Sequence, residues 1–575
     1  MTQSEEPGTL AGSRWTVTVV DLLQTVMRRR AVILGTVLLC AVHPALGAHD
    51  GVPSPQERPV FRISTRLVQI SVIVTDKNRQ SVPGLTAADF RVFDNGQEQR
   101  LDLFSAESDP VTRTPAAVVA AGHEPVREFS NRLEGRVGGG VTAILFDRLN
   151  TRAEDQFYAR GQVVKFLEQI RPEDRIGLYV LDGDMVRVLH DFTSDASSLV
   201  RATSRFRGVT STELAVAEEA PPDLLETGDA RLDAEMAAFL EASHQRMVEH
   251  FTGVRGDATI TALESVANHL AGVRGRKNLI WVSSGFPLSA FTSRGKSRTV
   301  EINRATRALN SANVAIYTVD ARGLVSAFAS PPGARKPVFT SLATVSPNLD
   351  ILQIVAEETG GRAFLNTNDI KGAVRRAVED ARVTYVLGYY PSHSTWDSKY
   401  HEIRVKVARS GVQVRHRKGY LALAKQKQDD PERSASLLGT IRSPLEANGL
   451  GLAARVEGVE GSRSDVQITI RLDPGSVVLE RAADHWEGSL DVVIAQVHPD
   501  GTVVRSYDRT VSLTISAERL DQMIREGFTM RSNVAVLPDV QRLHLVVRDI
   551  STGSLGSIIV PGEKLRAILE GETRK

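Results

Sequence analysis

The sequence predicts an α/β protein, with a doubly wound, Rossmann-like parallel sheet in the centre and β-sandwich-like modules on either side. From residue 141 onward, short unbroken apolar runs such as VTAILFD alternate with segments whose apolar residues recur at helical spacing. This pattern is expected where parallel strands are covered on both faces by crossover helices. Before and after that region, apolar and polar residues alternate one by one, which is typical of half-buried strands.

The composition is that of a folded protein and restricts the function. The chain has 575 residues, of which 42% are hydrophobic and 24% charged, and its net charge is +1. At roughly 150 residues per domain, this length predicts about three or four domains. A near-neutral chain lacks the basic face that a nucleic-acid binder needs. The single cysteine, Cys40, lies in an N-terminal apolar run, so a processed chain would have neither disulfides nor zinc–thiolate sites.

Residues 27–48 are predicted to form a signal peptide. Arg28 to Arg30 precede the apolar run AVILGTVLLCAV, and small residues follow at 45–48. This order is typical of secretory signals and predicts a periplasmic, secreted or cell-surface protein. An uncleaved membrane anchor is the alternative, although the run is shorter than the ~20 residues of a comfortable span. Residues 1–26 are interpreted as an over-called leader.

Residues 60–106 are predicted to form an N-terminal β-rich module. RLVQISVIVTD alternates at period two, and Asn95-Gly96 between two short alternating runs indicates a hairpin. Residues 106–138 are interpreted as a loose connector. A second β-sandwich is predicted over 441–575, where VQITIRL, LDVVIAQV and RLHLVVRDI alternate in the same way.

The α/β domain is predicted over 139–422. VTAILFD, RIGLYVLDG, KNLIWVSSG and VAIYTVDARG are its buried strands, and antiparallel strands after them form a terminal β-hairpin. An acidic, Ala/Glu-rich stretch at 209–252 is predicted to be a helical insertion. A separate helix is then expected to begin at Asp257, a plausible N-cap residue.

Several motifs in a fixed order resemble one known family. FRISTRLVQISVIVTDKNRQSVPGLTAADFRVFDNG, AILFDRLNT, GRKNLIWVSSGFP, YTVDARG, EETGGRAF and VLGYYP follow one another, and HEIRVKV and RKGYL complete the series. The chain resembles the von Willebrand factor type A-related proteins of Acidobacteria and similar soil bacteria over about 60% of its length. The resemblance implies a type A domain and an exported protein, without a known ligand.

The resemblance also implies where a metal would bind. Type A domains often hold a divalent cation at the carboxyl ends of the strands, through an Asp-x-Ser-x-Ser loop and a Thr and an Asp from later loops, and the partner supplies a further carboxylate. Asp147 and Thr151 match part of that loop, and Thr259 or Thr261 matches the middle hydroxyl. Asp147, Thr151 and Thr259 are therefore the candidate metal ligands.

Two positions depart from the pattern. Leu149 replaces the first serine, and Ser284 stands where the later aspartate is expected. A degenerate metal-ion-dependent adhesion site of this kind would bind Mg²⁺ weakly, because its affinity depends on the number of charged ligands. The alternative interpretation is that Asp147 caps a turn or a helix.

Other acidic residues and serines leave further options open. Three more aspartates, Asp182, Asp184 and Asp320, also follow predicted strands. They could belong to a metal site with altered oxygen ligands, or each could cap its loop by hydrogen-bonding to the backbone. Ser283-Ser284 ends a strand, but the Gly-x-Ser-x-Gly elbow of a serine hydrolase is missing. The glycines at 135–140 precede a strand, whereas a phosphate-binding loop follows one, so nucleotide binding is not expected.

These observations predict an exported, non-enzymatic protein that binds a protein or surface ligand, in an adhesion-type role, through its type A-like domain. No catalytic residue and no cofactor other than weakly bound Mg²⁺ is expected. One alternative is a structural or assembly component of the cell envelope, in which the β modules make the contacts. A serine hydrolase is the other.

Overall fold

The computed structural model describes residues 67–108, 127–132, 140–219, 229–273, 275–287, 298–324, 342–392, 399–422, 431–482 and 484–573. All of them belong to one compact unit, Arg62–Lys575. The predicted leader and signal peptide lie outside these ranges. Among the described residues, no helix combines the length and apolar content that a membrane span requires.

The chain begins with short strands that are separated by tight turns. Asn95 and Gly96 both have positive φ, 47° and 82°, between β2 and β3. These dihedrals suit a two-residue hairpin turn, so the predicted hairpin is confirmed. The strands are β1 (Val68–Thr75), β2 (Phe90–Asp94), β3 (Gln97–Gln99), β4 (Leu103–Ser108) and β5 (Glu128–Ser130).

The central domain follows and alternates strands with helices. Its first element is β6 (Val141–Asp147), a strand that is buried along its whole length. The others are α1 (Ala153–Leu167), β7 (Ile176–Asp182), β8 (Met185–Thr193), α2 (Ala196–Arg205), α3 (Thr212–Glu218), α4 (Ala230–Leu270), β9 (Lys277–Ser283), α5 (Arg298–Ser311), β10 (Val314–Asp320), α6 (Leu342–Glu358), β11 (Arg362–Phe364) and α7 (Ile370–Glu379).

The central sheet has six strands in the order β11-β10-β9-β6-β7-β8. All neighbours are parallel except β7 and β8, which form an antiparallel edge. Helices α4, α5 and α6 pack on one face, and α1, α2 and α7 on the other. The predicted α/β fold class is therefore confirmed, and the strand order is that of a doubly wound sheet.

Helix α4 differs from the sequence prediction. It runs without a break from Ala230 to Leu270, with Asp229 as its N-cap accepting from two backbone amides. The predicted insertion and the helix after it are thus one helix of 41 residues, and Asp257 lies inside it rather than at its start. The cause is that 230–270 contains no proline, and its two glycines were not enough to end the helix.

The strands that follow the central domain return to the N-terminal strands. Strand β12 pairs with β1 and β4, and a second sheet has the order β15-β13-β2-β3. The region predicted as a terminal β-hairpin of the α/β domain thus completes the N-terminal module, and both sheets share one apolar core. These strands are β12 (Val383–Tyr389), β13 (Tyr400–Val407), β14 (Gln413–Arg415) and β15 (Gly419–Leu421).

The C-terminal domain is a β-sandwich. One sheet has the order β21-β17-β16-β5, and the other contains β18, β19, β22 and β23 with β20 on the edge of β19. Strand β5, which the sequence placed in a loose connector, therefore extends this sandwich. The elements are α8 (Pro431–Arg442), β16 (Leu452–Gly458), β17 (Asp465–Leu472), β18 (Glu480–Ala482), β19 (His485–Val497), β20 (Val503–Ser516), α9 (Ala517–Glu526), β21 (Phe528–Ala535), β22 (Arg542–Asp549), β23 (Leu555–Pro561) and α10 (Gly562–Thr573).

A buried histidine in this sandwich predicts an acid-sensitive fold. His544 on β22 is fully buried, and its Nδ1–H donates to the Ile441 carbonyl at 2.9 Å. Burial lowers the pKa of His544 from 6.5 to about 4. Because the unfolded chain takes up the proton first, stability is retained above pH 6.5 and is lost as the pH falls towards 4, by up to about 3 kcal/mol.

The variant His544→Asn tests this pH dependence, since an amide can keep the hydrogen bond but does not titrate. Urea unfolding at pH 7 and near pH 4.5 should show a smaller acid loss for His544→Asn than for the wild type. The half-buried His485 on β19 supplies the control, and His485→Asn should leave the acid loss in place. Equal acid losses in the wild type and His544→Asn would contradict the prediction.

Candidate functional site

The candidate site lies at the carboxyl edge of the central sheet. Asp147 is the last residue of β6 and Ser283 is the last residue of β9, and the two strands are parallel neighbours. Helix α4 crosses the same edge and brings Thr259 to it. Open α/β sheets bind ligands at this edge because the loops after adjacent parallel strands converge there.

Asp147 is buried and accepts several hydrogen bonds. Its Oδ1 accepts from the Asn150 backbone N at 2.9 Å. Its Oδ2 accepts from Trp281 Nε1 at 3.0 Å and from Ser283 Oγ at 2.8 Å. Asp147 therefore caps the turn that follows β6. Through its side-chain hydrogen bonds to Trp281 and Ser283 it also links β6 to β9.

The Asn150 side chain connects two of the predicted ligands. Its Nδ2 donates to Asp147 Oδ2 at 3.0 Å and to Thr259 Oγ1 at 2.8 Å. Thr259 Oγ1 in turn donates to the Arg255 carbonyl at 2.8 Å. An amide group with two N–H donors thus occupies the space between the carboxylate and the hydroxyl, where a cation bridging these two ligands would have to lie.

Thr151 lies on the other side of the same loop. Its Oγ1 accepts from the Ser284 backbone N at 3.1 Å, and the Ser284 hydroxyl contacts Asp155 Oδ2 at 3.2 Å. The structure therefore places Asp147 and Thr259 in one hydrogen-bonded group and Thr151 in the adjacent one. Thr261, the alternative to Thr259, donates to the Asp257 carbonyl within α4.

The charge of the site is balanced by protein groups. Burial raises the pKa of Asp147, while the hydrogen bonds from Asn150, Ser283 and Trp281 lower it. The Ser283 hydroxyl also lies 3.0 Å from the Gly285 carbonyl, so it can donate to an ionised Asp147 or accept from a protonated one. Asn150 Oδ1, in contrast, is buried and has no hydrogen-bond partner among the residues that the structure describes.

A buried cation lies near this carboxylate. Burial lowers the pKa of the Arg255 guanidinium, and the charges of Asp147, Glu218 and Glu213 raise it. Burial likewise raises the pKa of Asp155 beside Ser284. A positive side chain in this position attracts Asp147 and repels a divalent cation.

The other acidic residues at this edge have basic partners. Asp182 lies 3.1 Å from Arg148 Nη1 and 3.2 Å from Arg187 Nη2. Asp320 forms a two-point pair with Arg322, with both distances 3.0 Å. Asp184 is exposed on the turn between β7 and β8. Within the described ranges, no three His, Cys, Asp or Glu side chains form a group that could hold a metal ion.

The serines at the end of β9 do not contact a histidine among the residues that the structure describes. Ser283 and Ser284 hydrogen-bond to the carboxylates of Asp147 and Asp155. A serine nucleophile needs a base within hydrogen-bond reach, and these two carboxylates lie within that distance.

Two strongly exposed apolar side chains lie on the segments that follow β6 and β10 at this edge. Phe157 on α1 is 67% exposed and Leu324 after β10 is 62% exposed. The ring of Tyr158 lies against Gly323, and its hydroxyl donates to the Asn368 carbonyl at 3.3 Å. The Asn368 side chain accepts from the Leu324 backbone N at 2.8 Å. We call Phe157, Tyr158, Gly323, Leu324 and Asn368 the apolar rim.

Sequence reasoning did not single out Asn150, Trp281 or the apolar rim. Asn150 stands inside the loop that was compared with the metal-binding pattern, but at a position to which the pattern assigns no role. Trp281 lies in an apolar strand, where a tryptophan normally indicates core packing. Only its indole N–H, which needs a partner when buried, could have suggested a link to Asp147.

Comparisons with known proteins give only a general likeness. No family model matches the chain, and no curated protein matches it. Among solved structures, the SpRpn10 VWA domain is 13% identical, with 32% of this chain and 75% of that chain covered and a TM-score of 0.17. The ArnB paralog VWA2 from Sulfolobus acidocaldarius is 9% identical, with coverages of 84% and 81% and a TM-score of 0.20. Both are VWA domains, but the scores are low, and the fold assignment rests on the strand order of the central sheet.

Proposed function

We propose that this is an exported protein that binds a partner protein or surface ligand through the carboxyl edge of its von Willebrand factor A-like domain, without a bound metal. The observation that carries the proposal is the apolar rim beside the polar network around Asp147. Exposed apolar side chains at a ligand-binding edge are typical of protein-interaction sites.

Metal independence is supported by the Asn150 amide. In the degenerate adhesion site that the resemblance implies, Asp147 and Thr259 would share a cation, yet here they share two N–H donors of one side chain. Binding a cation would require Asn150 to leave a buried position and would bring the ion close to the buried Arg255. We therefore expect Mg²⁺ to bind weakly at most.

Export and the absence of catalysis are further parts of the proposal. Export is supported by the charged head, apolar run and small residues at 27–48. A non-enzymatic role is supported by the hydrogen-bonding of Ser283 and Ser284 to carboxylates. It is also supported by the pairing of Asp182 and Asp320 with arginines.

The apolar rim can be tested with the variant Phe157→Ser/Leu324→Ser. Proteins retained from an envelope extract by the immobilised wild-type chain should be identified, purified and titrated against both chains. We expect the double variant to bind at least about tenfold more weakly, because two exposed apolar side chains lose their contacts. Replacing Mg²⁺ with a chelator should change neither the affinity nor the melting temperature.

The control is Val504→Ser on β20, which alters an exposed apolar residue of the C-terminal sandwich. If this control loses binding and the rim variant keeps it, the β modules make the contacts, as in the alternative of a structural or assembly component. If Mg²⁺ raises the melting temperature and Asp147→Ala abolishes that effect, the metal-independent site is wrong. Turnover in an esterase or protease screen would contradict the non-enzymatic role.

A further inference from the structure

We propose that the N-terminal half of α4 pairs with the same segment of a second copy of this chain, antiparallel, and so forms a homodimer. The juxtaposition that carries the proposal is an exposed apolar stripe bordered by four charged residues whose order is self-complementary. The inference goes beyond the proposed function and does not depend on it.

Helix α4 consists of two halves with different surroundings. From Gly253 to Leu270, ten residues are buried, and the apolar ones belong to the core that covers the central sheet. From Ala230 to His250, in contrast, most residues are exposed. Since Thr259 lies at the carboxyl edge of the sheet, the residues before it extend past that edge. The length of this exposed half, at 1.5 Å per residue, is about 30 Å.

The exposed half carries large apolar side chains on one side. Leu232, Met236, Phe239 and Met247 are all exposed, Phe239 at 61%. At 3.6 residues per turn, these four positions fall within an arc of about 80°. An amphipathic helix normally buries such a stripe, and leaving it in water is unfavourable. The stripe is therefore expected to be covered by a partner.

Four charged residues border the stripe on one flank. Arg231, Glu235, Arg246 and Glu249 lie within about 60° of one another around the helix. Their signs along the chain are plus, minus, plus, minus. In an antiparallel pair of helices, residues on the same flank of the two copies face each other in reversed order. Read in reverse, the four charges are minus, plus, minus, plus. Each charge of one copy therefore faces an opposite charge of the second copy.

A twofold axis near Leu240 satisfies the charged and apolar positions together. It places Arg231 of one copy beside Glu249 of the second copy, and Glu235 beside Arg246. The same axis places Leu232 beside Met247 and brings the two Phe239 rings together at the centre. In a parallel pair, this flank of one copy would instead face the opposite flank of its partner, and the four charged residues would not meet their complements. Self-complementarity of this kind is what an isologous twofold contact requires.

Among the residues that the structure describes, these charges contact neighbours on the same helix. Arg231 Nε lies 3.1 Å from Glu235 Oε1, and both side chains are largely exposed. Arg246 Nε donates to the Ala242 carbonyl at 3.1 Å. Exposed i,i+4 pairs contribute little to stability, so exchanging them for pairs across a dimer costs little. The contact covers about three heptads of one helix, and we therefore expect a dissociation constant on the order of 10 µM.

Analytical ultracentrifugation of the full chain tests association. We expect a concentration-dependent dimer for the wild type and a monomer for Phe239→Asp over the same range. Ile354→Asp, which places the same change at an exposed apolar residue of α6, is the matched control and should remain dimeric. A wild-type chain that stays monomeric at roughly 100 µM, or a Phe239→Asp variant that still dimerises, would overturn the proposal.

Cysteine cross-linking tests the orientation. In a Cys40→Ser background, Leu232→Cys and Met247→Cys are prepared separately and then mixed under oxidation. In the antiparallel pair each residue is more than about 20 Å from its own copy, so neither variant should cross-link alone, whereas the mixture should form a disulfide-linked heterodimer. Cross-linking of each variant to itself would show a parallel pair and contradict the inference.

Discussion

The Asp147→Ala variant should lose about 3 to 5 kcal/mol of unfolding free energy, because the substitution strands several buried donors at once. Trp281 Nε1, Ser283 Oγ and the backbone N of Asn150 all donate to this carboxylate. The change also loosens the contact between β6 and β9 in the middle of the sheet. Urea unfolding followed by circular dichroism measures the loss.

The pH dependence of that loss provides an internal check. Burial raises the pKa of Asp147 above its ordinary value of 3.8. The carboxyl therefore contributes most to stability below that value, and its contribution decreases as the pH rises through the folded pKa. The destabilisation by Asp147→Ala should accordingly be largest at pH values at or below 3.8 and should decrease as the pH rises.

Asp184→Ala is the matched control, because Asp184 is exposed on the turn between β7 and β8. It should change the unfolding free energy by less than about 0.5 kcal/mol. If Asp147→Ala proved as mild as this control, Asp147 would not be the structural centre of the carboxyl edge.

The Arg433→Ala variant should be destabilised by a similar amount, about 3 to 5 kcal/mol, in the C-terminal sandwich. Arg433 on α8 and Asp491 on β19 are both buried, and Arg433 Nε lies 2.6 Å from Asp491 Oδ2. A second contact joins Arg433 Nη2 to Asp491 Oδ1, and Thr510 donates to the same oxygen at 3.0 Å. Removing the guanidinium leaves the carboxylate in the core with Arg548 Nη1 at 3.8 Å as its remaining cation.

An exposed ion pair on the same domain distinguishes burial from pairing as the cause. Arg455 on β16 contacts Glu457 at 2.8 Å, and the arginine side chain is about half exposed. Because water screens such a pair, Arg455→Ala should cost at most about 1 kcal/mol. Chemical denaturation measures the unfolding free energy of both variants. Equal decreases for Arg433→Ala and Arg455→Ala would show that burial of the Arg433–Asp491 pair has no special effect.

Much of the fold could be predicted from the sequence, since strands and helices leave local periodic patterns. The run VTAILFD is buried on both faces, as predicted, and it becomes β6 at the centre of the sheet. The Asn95-Gly96 hairpin also follows from local chemistry, because these two residues tolerate positive φ. Both predictions depend only on neighbouring residues.

The pairing of distant segments could not be predicted in this way. Strand β1 pairs with β12, more than 300 residues later, and β5 joins a sandwich that begins after residue 440. Alternation of apolar and polar residues shows that a strand has one buried face, but it does not indicate which strand lies beside it. The domain boundaries that were inferred from changes in the apolar–polar pattern therefore did not show that the N-terminal strands and β12–β15 form one module.

At the candidate site, the resemblance to type A domains pointed to Asp147, Thr151 and Thr259, with Thr261 as the alternative to Thr259. The identity of the residues also indicated a weak metal site, since Leu149 and Ser284 lack the expected ligand atoms. Whether the Asp147 carboxylate faces a cation or a protein donor depends on where the Asn150 and Thr259 side chains lie. Asn150 is close to Asp147 in the sequence, but Thr259 is distant. Folding places the Asn150 amide between Asp147 and Thr259. That contact, and the exposed half of α4, arise from packing in three dimensions, which no local pattern encodes.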